Sequence, residues 1–73
     1  MKYEISYRLF VEDTDADEPT LVMSHEYHET ERVKAIKACD DIHDKYARVE
    51  KTTTKWLTIR DYRVDSSEVI HEN

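Results

Sequence analysis

The sequence predicts an α+β fold, a β-β-α-β(-β) two-layer sandwich with one helix packed on a small antiparallel sheet. Three observations predict it. Apolar residues alternate with period two in two N-terminal stretches, the period lengthens to that of a helix in the middle, and β-forming residues return toward the end. A chain of 73 residues has room for one core, so residues 1–73 are expected to form a single domain.

Lys2 to Val11 is the first predicted strand. Tyr3, Ile5, Tyr7, Leu9 and Val11 fall on one face, and Lys2, Glu4, Ser6, Arg8 and Phe10 on the other. Glu12 to Pro19 is acidic, has nothing to pack, and reads as an exposed connector between antiparallel strands. Thr20 to His28 alternates again, with Leu21, Met23, His25 and Tyr27 opposed to Thr20, Val22, Ser24, Glu26 and His28. Thr30 is the expected helix N-cap, with Glu31 in the first turn where a negative charge suits the dipole. The helical period then runs to about Val49. Ala35, Ala38, Cys39, Ile42, Tyr46 and Val49 form the apolar stripe, with Ile36 at its edge. Lys34, Lys37, Asp41, Asp44 and Arg48 lie opposite, and Lys37–Asp41 and Asp44–Arg48 are opposite-charge pairs four apart.

Glu50 to Thr54 reads as a polar connector. Lys55 to Val64 is the third predicted strand, its alternation broken by a bulge near Arg60-Asp61 that returns Tyr62 and Val64 to the Leu57 face. Asp65-Ser66-Ser67 reads as a turn, and Glu68 to His71 as a short edge strand.

Composition narrows the function. Eleven basic and seventeen acidic residues give a net charge of -6. That argues against sequence-independent nucleic-acid binding, which needs a basic footprint. It permits docking on a basic surface, such as one that holds nucleic acid. It also serves solubility alone, and both readings are open on the sequence. There is no glycine, which excludes the phosphate loops and dinucleotide fingerprints that need a residue without Cβ. One cysteine, Cys39, allows no disulfide within the chain. With no apolar leader after Met1-Lys2-Tyr3-Glu4 and no run of membrane-spanning length, the expected location is the cytoplasm, with no membrane contact.

No constellation reads as catalytic, and an enzyme is not expected. His25-Glu26-Tyr27-His28-Glu29 is not the zinc-protease motif, and on a strand His25 and His28 point to opposite faces. Asp13-x-Asp15-x-Asp17 resembles the start of an EF-hand loop, but Glu18 stands where that loop has glycine, and no helix precedes it. Cys39 sits on the core stripe, where a free thiol behaves as a small hydrophobe. No cofactor and no metal are therefore expected.

The outer sheet face is the expected interface, because no second helix is predicted to cover it. Phe10, Val22 and Trp56 should lie there among Lys2, Arg8, Glu26 and Arg60, an aromatic and arginine composition typical of interfaces. The expected partner-binding residues are Phe10, Asp13, Asp15, Asp17, Glu18, Val22, Glu26, Trp56 and Arg60.

The stretch Tyr27-His28-Glu29-Thr30-Glu31-Arg32-Val33-Lys34-Ala35, where a strand pair runs into an alanine-bearing helix, resembles small phage-encoded host-takeover proteins. Among them are the phage inhibitor of bacterial RNA polymerase and several anti-CRISPR proteins. The resemblance covers most of the chain in layout and charge. It implies a non-catalytic inhibitor, by preference an anti-CRISPR, that occupies the basic surface of a CRISPR effector complex or RNA polymerase in the host cytoplasm. The alternative is a small cytoplasmic adaptor or assembly domain that homodimerises through its exposed sheet face.

Overall fold

The computed structural model describes residues 2–15 and 17–73, so Ala16 of the predicted connector lies outside the described residues. The chain forms a four-stranded antiparallel sheet and one short helix, in the order β1 (Lys2–Asp13), β2 (Thr20–His28), a 3-10 turn (Glu29–Glu31), α1 (Arg32–Asp40), β3 (Tyr46–Trp56) and β4 (Tyr62–Glu72). The strand order across the sheet is β2-β1-β3-β4.

β1 and β2 form where alternation places them, with β1 reaching two residues further, through Glu12 and Asp13. Leu9 stands opposite His25 in β2 and Val49 in β3. Tyr7, Leu9 and Val11 of β1 and Ala47 and Val49 of β3 share one buried cluster with Ala35 and Cys39. An irregularity between Val11 and Glu12 pairs Glu12 with Leu21, so Leu21 leaves the Met23 face on which simple alternation puts it.

The helix is shorter than its periodicity predicts. It ends at Asp40, and the Asp41 amide donates to the Lys37 carbonyl at 3.0 Å in the last turn. Two acidic residues at this point oppose the negative end of the helix dipole. Ile42 falls in the following loop, and Tyr46 and Val49 belong to β3. The predicted Asp44–Arg48 pair does not form, because Arg48 pairs with Glu12 and Glu50, and Asp44 with Lys45. The start also differs. Thr30 lies inside the 3-10 turn, and α1 itself starts at Arg32 after Glu31, which makes no side-chain cap bond to it. His28 caps the turn: its Nδ1 accepts from the Thr30 amide at 3.2 Å, and Glu31 accepts from the His28 amide at 3.1 Å. That bond, with Lys34 3.2 Å away, holds the Glu31 carboxyl below the ordinary glutamate range.

Asn73 ties down the loop after the helix. Its Oδ1 accepts from the Ala47 amide at 3.0 Å, and its Nδ2 donates to the carbonyls of Ile42 and Lys45 at 2.9 and 2.8 Å. One side chain thus satisfies three main-chain groups where the chain turns from helix to strand. Asn73→Ala should destabilise the fold by about 1–3 kcal/mol, since each bond contributes roughly 0.5–1.5 kcal/mol and none of the three is wholly removed from water. Urea unfolding at neutral pH checks this.

The segment Glu50 to Thr54, expected as a connector, lies in the middle of β3 between β1 and β4. Its β-branched run Thr52-Thr53-Thr54 suits a pleated surface, and Thr52 is buried opposite the buried Ser6. The expected continuous strand Lys55 to Val64 is instead a hairpin. It turns through Leu57–Asp61, where the Leu57 amide donates to the Asp61 carbonyl at 2.8 Å. With no glycine available, Thr58 closes the turn: its hydroxyl oxygen accepts from the amides of Arg60 and Asp61 at 3.2 and 3.0 Å. The expected turn Asp65-Ser66-Ser67 lies inside β4, as a register irregularity with Asp65 the extra residue. The last strand is therefore eleven residues long rather than a four-residue edge.

Candidate functional site

Even-numbered residues of β1 and β3 form the sheet face opposite the buried cluster. Arg48 organises it. Its Nη1 donates to Glu12 Oε1 at 2.6 Å and its Nε to Glu50 Oε2 at 2.7 Å. Its guanidinium lies 4.8 Å above the Phe10 ring, the residue directly across the ladder. Ser67 donates to the other oxygen of Glu50 at 2.8 Å. The Arg48 bond first, then Ser67, holds the Glu50 carboxyl below the ordinary range, against the opposing pull of burial. Phe10 is therefore a half-buried platform for Arg48 rather than an open aromatic anchor.

Further along the face, Arg8 reaches Glu26 across the ladder at 3.8 Å, and its buried Nε has no hydrogen-bond partner among the described residues. Trp56 donates to Glu4 at 3.1 Å and stacks on Tyr62 with ring centroids 4.7 Å apart. A shallow groove runs between Trp56, Tyr62, Arg8 and Glu26.

The expected interface residues do not form one patch. β1 carries Lys2, opposite Trp56, at one end and Asp13 at the other. Eleven steps of about 3.3 Å separate them, about 36 Å of extended chain, most of the 42 Å long axis. Phe10, Asp13, Asp15, Asp17, Glu18 and Val22 gather at the β1–β2 end, Glu26 stands mid-sheet, and Trp56 and Arg60 lie at the opposite end. Arg60 is in the β3–β4 turn and not on the outer face.

At the β1–β2 end, Asp15, Asp17 and Glu18 are exposed. None of them, nor Asp13, joins an ion pair among the described residues. The Asp15 amide donates to Asp13 Oδ1 at 3.0 Å, which shapes the loop and engages that carboxylate. Leu21 and Val22 stand beside it, each 53% exposed. Leu21 was missed in the sequence because strict alternation sends it to the core; an irregularity leaves no mark in composition. At the other end, Ile59 is 94% exposed, and Leu57, Tyr62 and Val64 are also open. Their exposure follows from the hairpin, which the broken alternation hinted at.

Cys39 is fully buried, and burial pushes its thiol upward, with Asp40 adding to the shift. A thiol held protonated is a poor nucleophile. Among the described residues, no three His, Cys, Asp or Glu side chains gather closely enough to hold a metal ion, and no helix is long and apolar enough to cross a membrane. No protein-family model matches the chain, no curated protein matches its sequence, and no solved structure matches its fold.

Proposed function

We propose that this chain is a non-catalytic binding protein that docks its acidic β1–β2 end on a basic surface of another protein. The observation that supports this best is the set of carboxylates at Asp13, half-buried, and Asp15, Asp17 and Glu18, exposed, none of them in an ion pair among the described residues, beside the exposed apolar pair Leu21 and Val22. Charge of one sign steers the encounter, and an adjoining apolar pair provides contacts that hold after docking. The partner class is a nucleic-acid-handling complex, whose surface is basic where it grips phosphate, and a CRISPR effector is preferred over RNA polymerase on the layout and charge described above. The host cytoplasm is the corresponding location. The fold that goes with this proposal is a two-layer sandwich with α1 over the inner sheet face, which the shared burial of Ala35 and Cys39 with Leu9 and Val49 supports. A homodimer formed face to face on the outer sheet is less favoured, since it would desolvate Arg8, Arg48 and their carboxylates.

Binding kinetics on an immobilised effector complex test the proposal at two salt concentrations. Replacing Asp13, Asp15 and Asp17 together by Asn keeps the Oδ1 acceptor that shapes the loop and removes the charge. Association should slow by about tenfold at low salt and by much less at high salt, because exposed charges are screened within about 8–10 Å at physiological ionic strength. Val22→Ala should speed dissociation, while Trp56→Ala, at the far end, should leave both rates unchanged. An unchanged association rate in the triple variant at low salt would overturn acidic docking.

A further inference from the structure

Beyond that docking end, we infer that β4 is a self-complementary edge through which two copies of this chain pair antiparallel into one continuous eight-stranded sheet. β4 is the last strand of the sheet and has β3 on one side only. Every second residue therefore turns its amide and carbonyl outward with no ladder partner, the usual invitation to another strand. Residues Tyr62 to Val69 are all exposed and contain neither proline nor lysine; the features of this edge that would blunt pairing with an unrelated strand are its charges, Arg63, Asp65 and Glu68, and the irregularity at Asp65. Only the end of the strand is tied back, where His71 lies 2.7 Å from Asp40 of the helix.

The register within the chain fixes which face each residue occupies. Tyr62, Val64, Ser67 and Val69 lie opposite Trp56, Thr54, Thr52 and Glu50 on the outer face; Arg63, Ser66 and Glu68 lie opposite Lys55, Thr53 and Lys51 on the inner face. A two-fold axis between Asp65 and Ser66 then sets Tyr62 opposite Val69 of the second copy, Arg63 opposite Glu68 and Val64 opposite Ser67. Each pair joins residues of the same face, as an antiparallel ladder requires. The extra residue Asp65, which would disturb pairing with an unrelated strand, lies at the centre of symmetry, so both copies carry the irregularity at the same place.

The charges agree with this register. Within its own chain Arg63 stands opposite Lys55, a like charge, and Glu68 opposite Lys51, an opposite one, but neither Arg63 nor Glu68 makes an ion pair among the described residues. Pairing two copies sets Arg63 against Glu68 of the second copy, twice over by symmetry. It also sets each Tyr62 against Val69 of the second copy, continuing the Trp56–Tyr62 stack across the seam. The β2 edge offers nothing equivalent: centred on Ser24, it would oppose Met23 to His25 and Val22 to Glu26, with no opposite charges.

Sedimentation equilibrium over a concentration series, with hydrogen exchange of the β4 amides, tests the inference. The expected result is a reversible dimer with β4 amide protection that rises with concentration. Arg63→Glu and Glu68→Arg should each weaken dimerisation by about tenfold, because each turns two cross-strand attractions into repulsions. The double exchange should restore it. Both positions are exposed, and matching circular dichroism and melting temperatures confirm that the variants fold. A chain that stays monomeric throughout, single exchanges without effect, or a double exchange that fails to restore pairing would each overturn the β4 seam. None of these outcomes bears on docking at the β1–β2 end, which the effector kinetics read separately.

Discussion

Leu9→Ala should lower the unfolding free energy by about 3–5 kcal/mol, within the range measured for removing a buried leucine side chain. Leu9 is 2% exposed and stands mid-sheet, with His25 on one side, Val49 on the other, and Ala35 and Cys39 in the same buried cluster. Its neighbours leave little freedom to close the gap. Alanine and cysteine already fill their places, and the β1 and β3 backbones are held by the ladder. A domain of this length has only about 4–11 kcal/mol of stability at 0.05–0.15 kcal/mol per residue, so one substitution removes about a quarter or more. Urea unfolding should show the loss as a lower midpoint at unchanged slope. Ile42→Ala is the informative comparison. A helix continuing to Val49 would put Ile42 in the core at a similar cost, whereas the loop position, half-buried, predicts about 1–2 kcal/mol. Equal losses at the two positions would contradict the helix end at Asp40.

Arg48→Met should cost about 1–3 kcal/mol at neutral pH. The substitution keeps the methylene stem over Phe10 and removes the guanidinium that bridges Glu12 and Glu50. Two carboxylates are left on one sheet face without their shared cation. A fully buried broken pair costs more, but these side chains are 20–22% exposed, so water screens part of the loss. The pH dependence identifies the cause. Glu50 titrates below its ordinary value of 4.5 in the folded chain, chiefly through Arg48. A depressed carboxyl stabilises the fold above the unfolded value, and that contribution disappears as pH falls through the folded one. The difference between parent and Arg48→Met should therefore be greatest near neutrality and shrink below the glutamate range. Urea midpoints at neutral and strongly acidic pH measure it. A difference independent of pH would mean that packing on Phe10, not charge, is what Arg48 supplies.

Much of the candidate site was legible in residue types and little of it in residue positions. The acidic run and Val22 could be named from the sequence, because a run of like charge and simple alternation are local properties. Their separation from Trp56 could not, because it depends on the direction of β1 and on which end of it meets β3. Arg48 illustrates the same limit. On a helix it is a solvent-facing cation paired with Asp44; in β3 it stands across from Phe10 and between two glutamates that are 36 residues before it and two after it.

The sequence by itself determined β1, β2, the presence of a helix after β2 and the burial of Leu9, Ala35 and Cys39. In those stretches the apolar period and the side-chain volumes point to one conformation. Only the tertiary structure decided where the helix stops, that Tyr46 to Trp56 is the strand next to β1, and that Tyr62 to Glu72 is a long edge. Ile42, Tyr46 and Val49 satisfy the helical period, while Ala47 and Val49 also satisfy alternation. The choice between them falls to partners distant in the chain: the open side of β1, which β3 completes, and the Asn73 side chain that holds the turn. Where local preference is balanced, the free energy of completing the sheet and burying Val49 against Leu9 selects the strand.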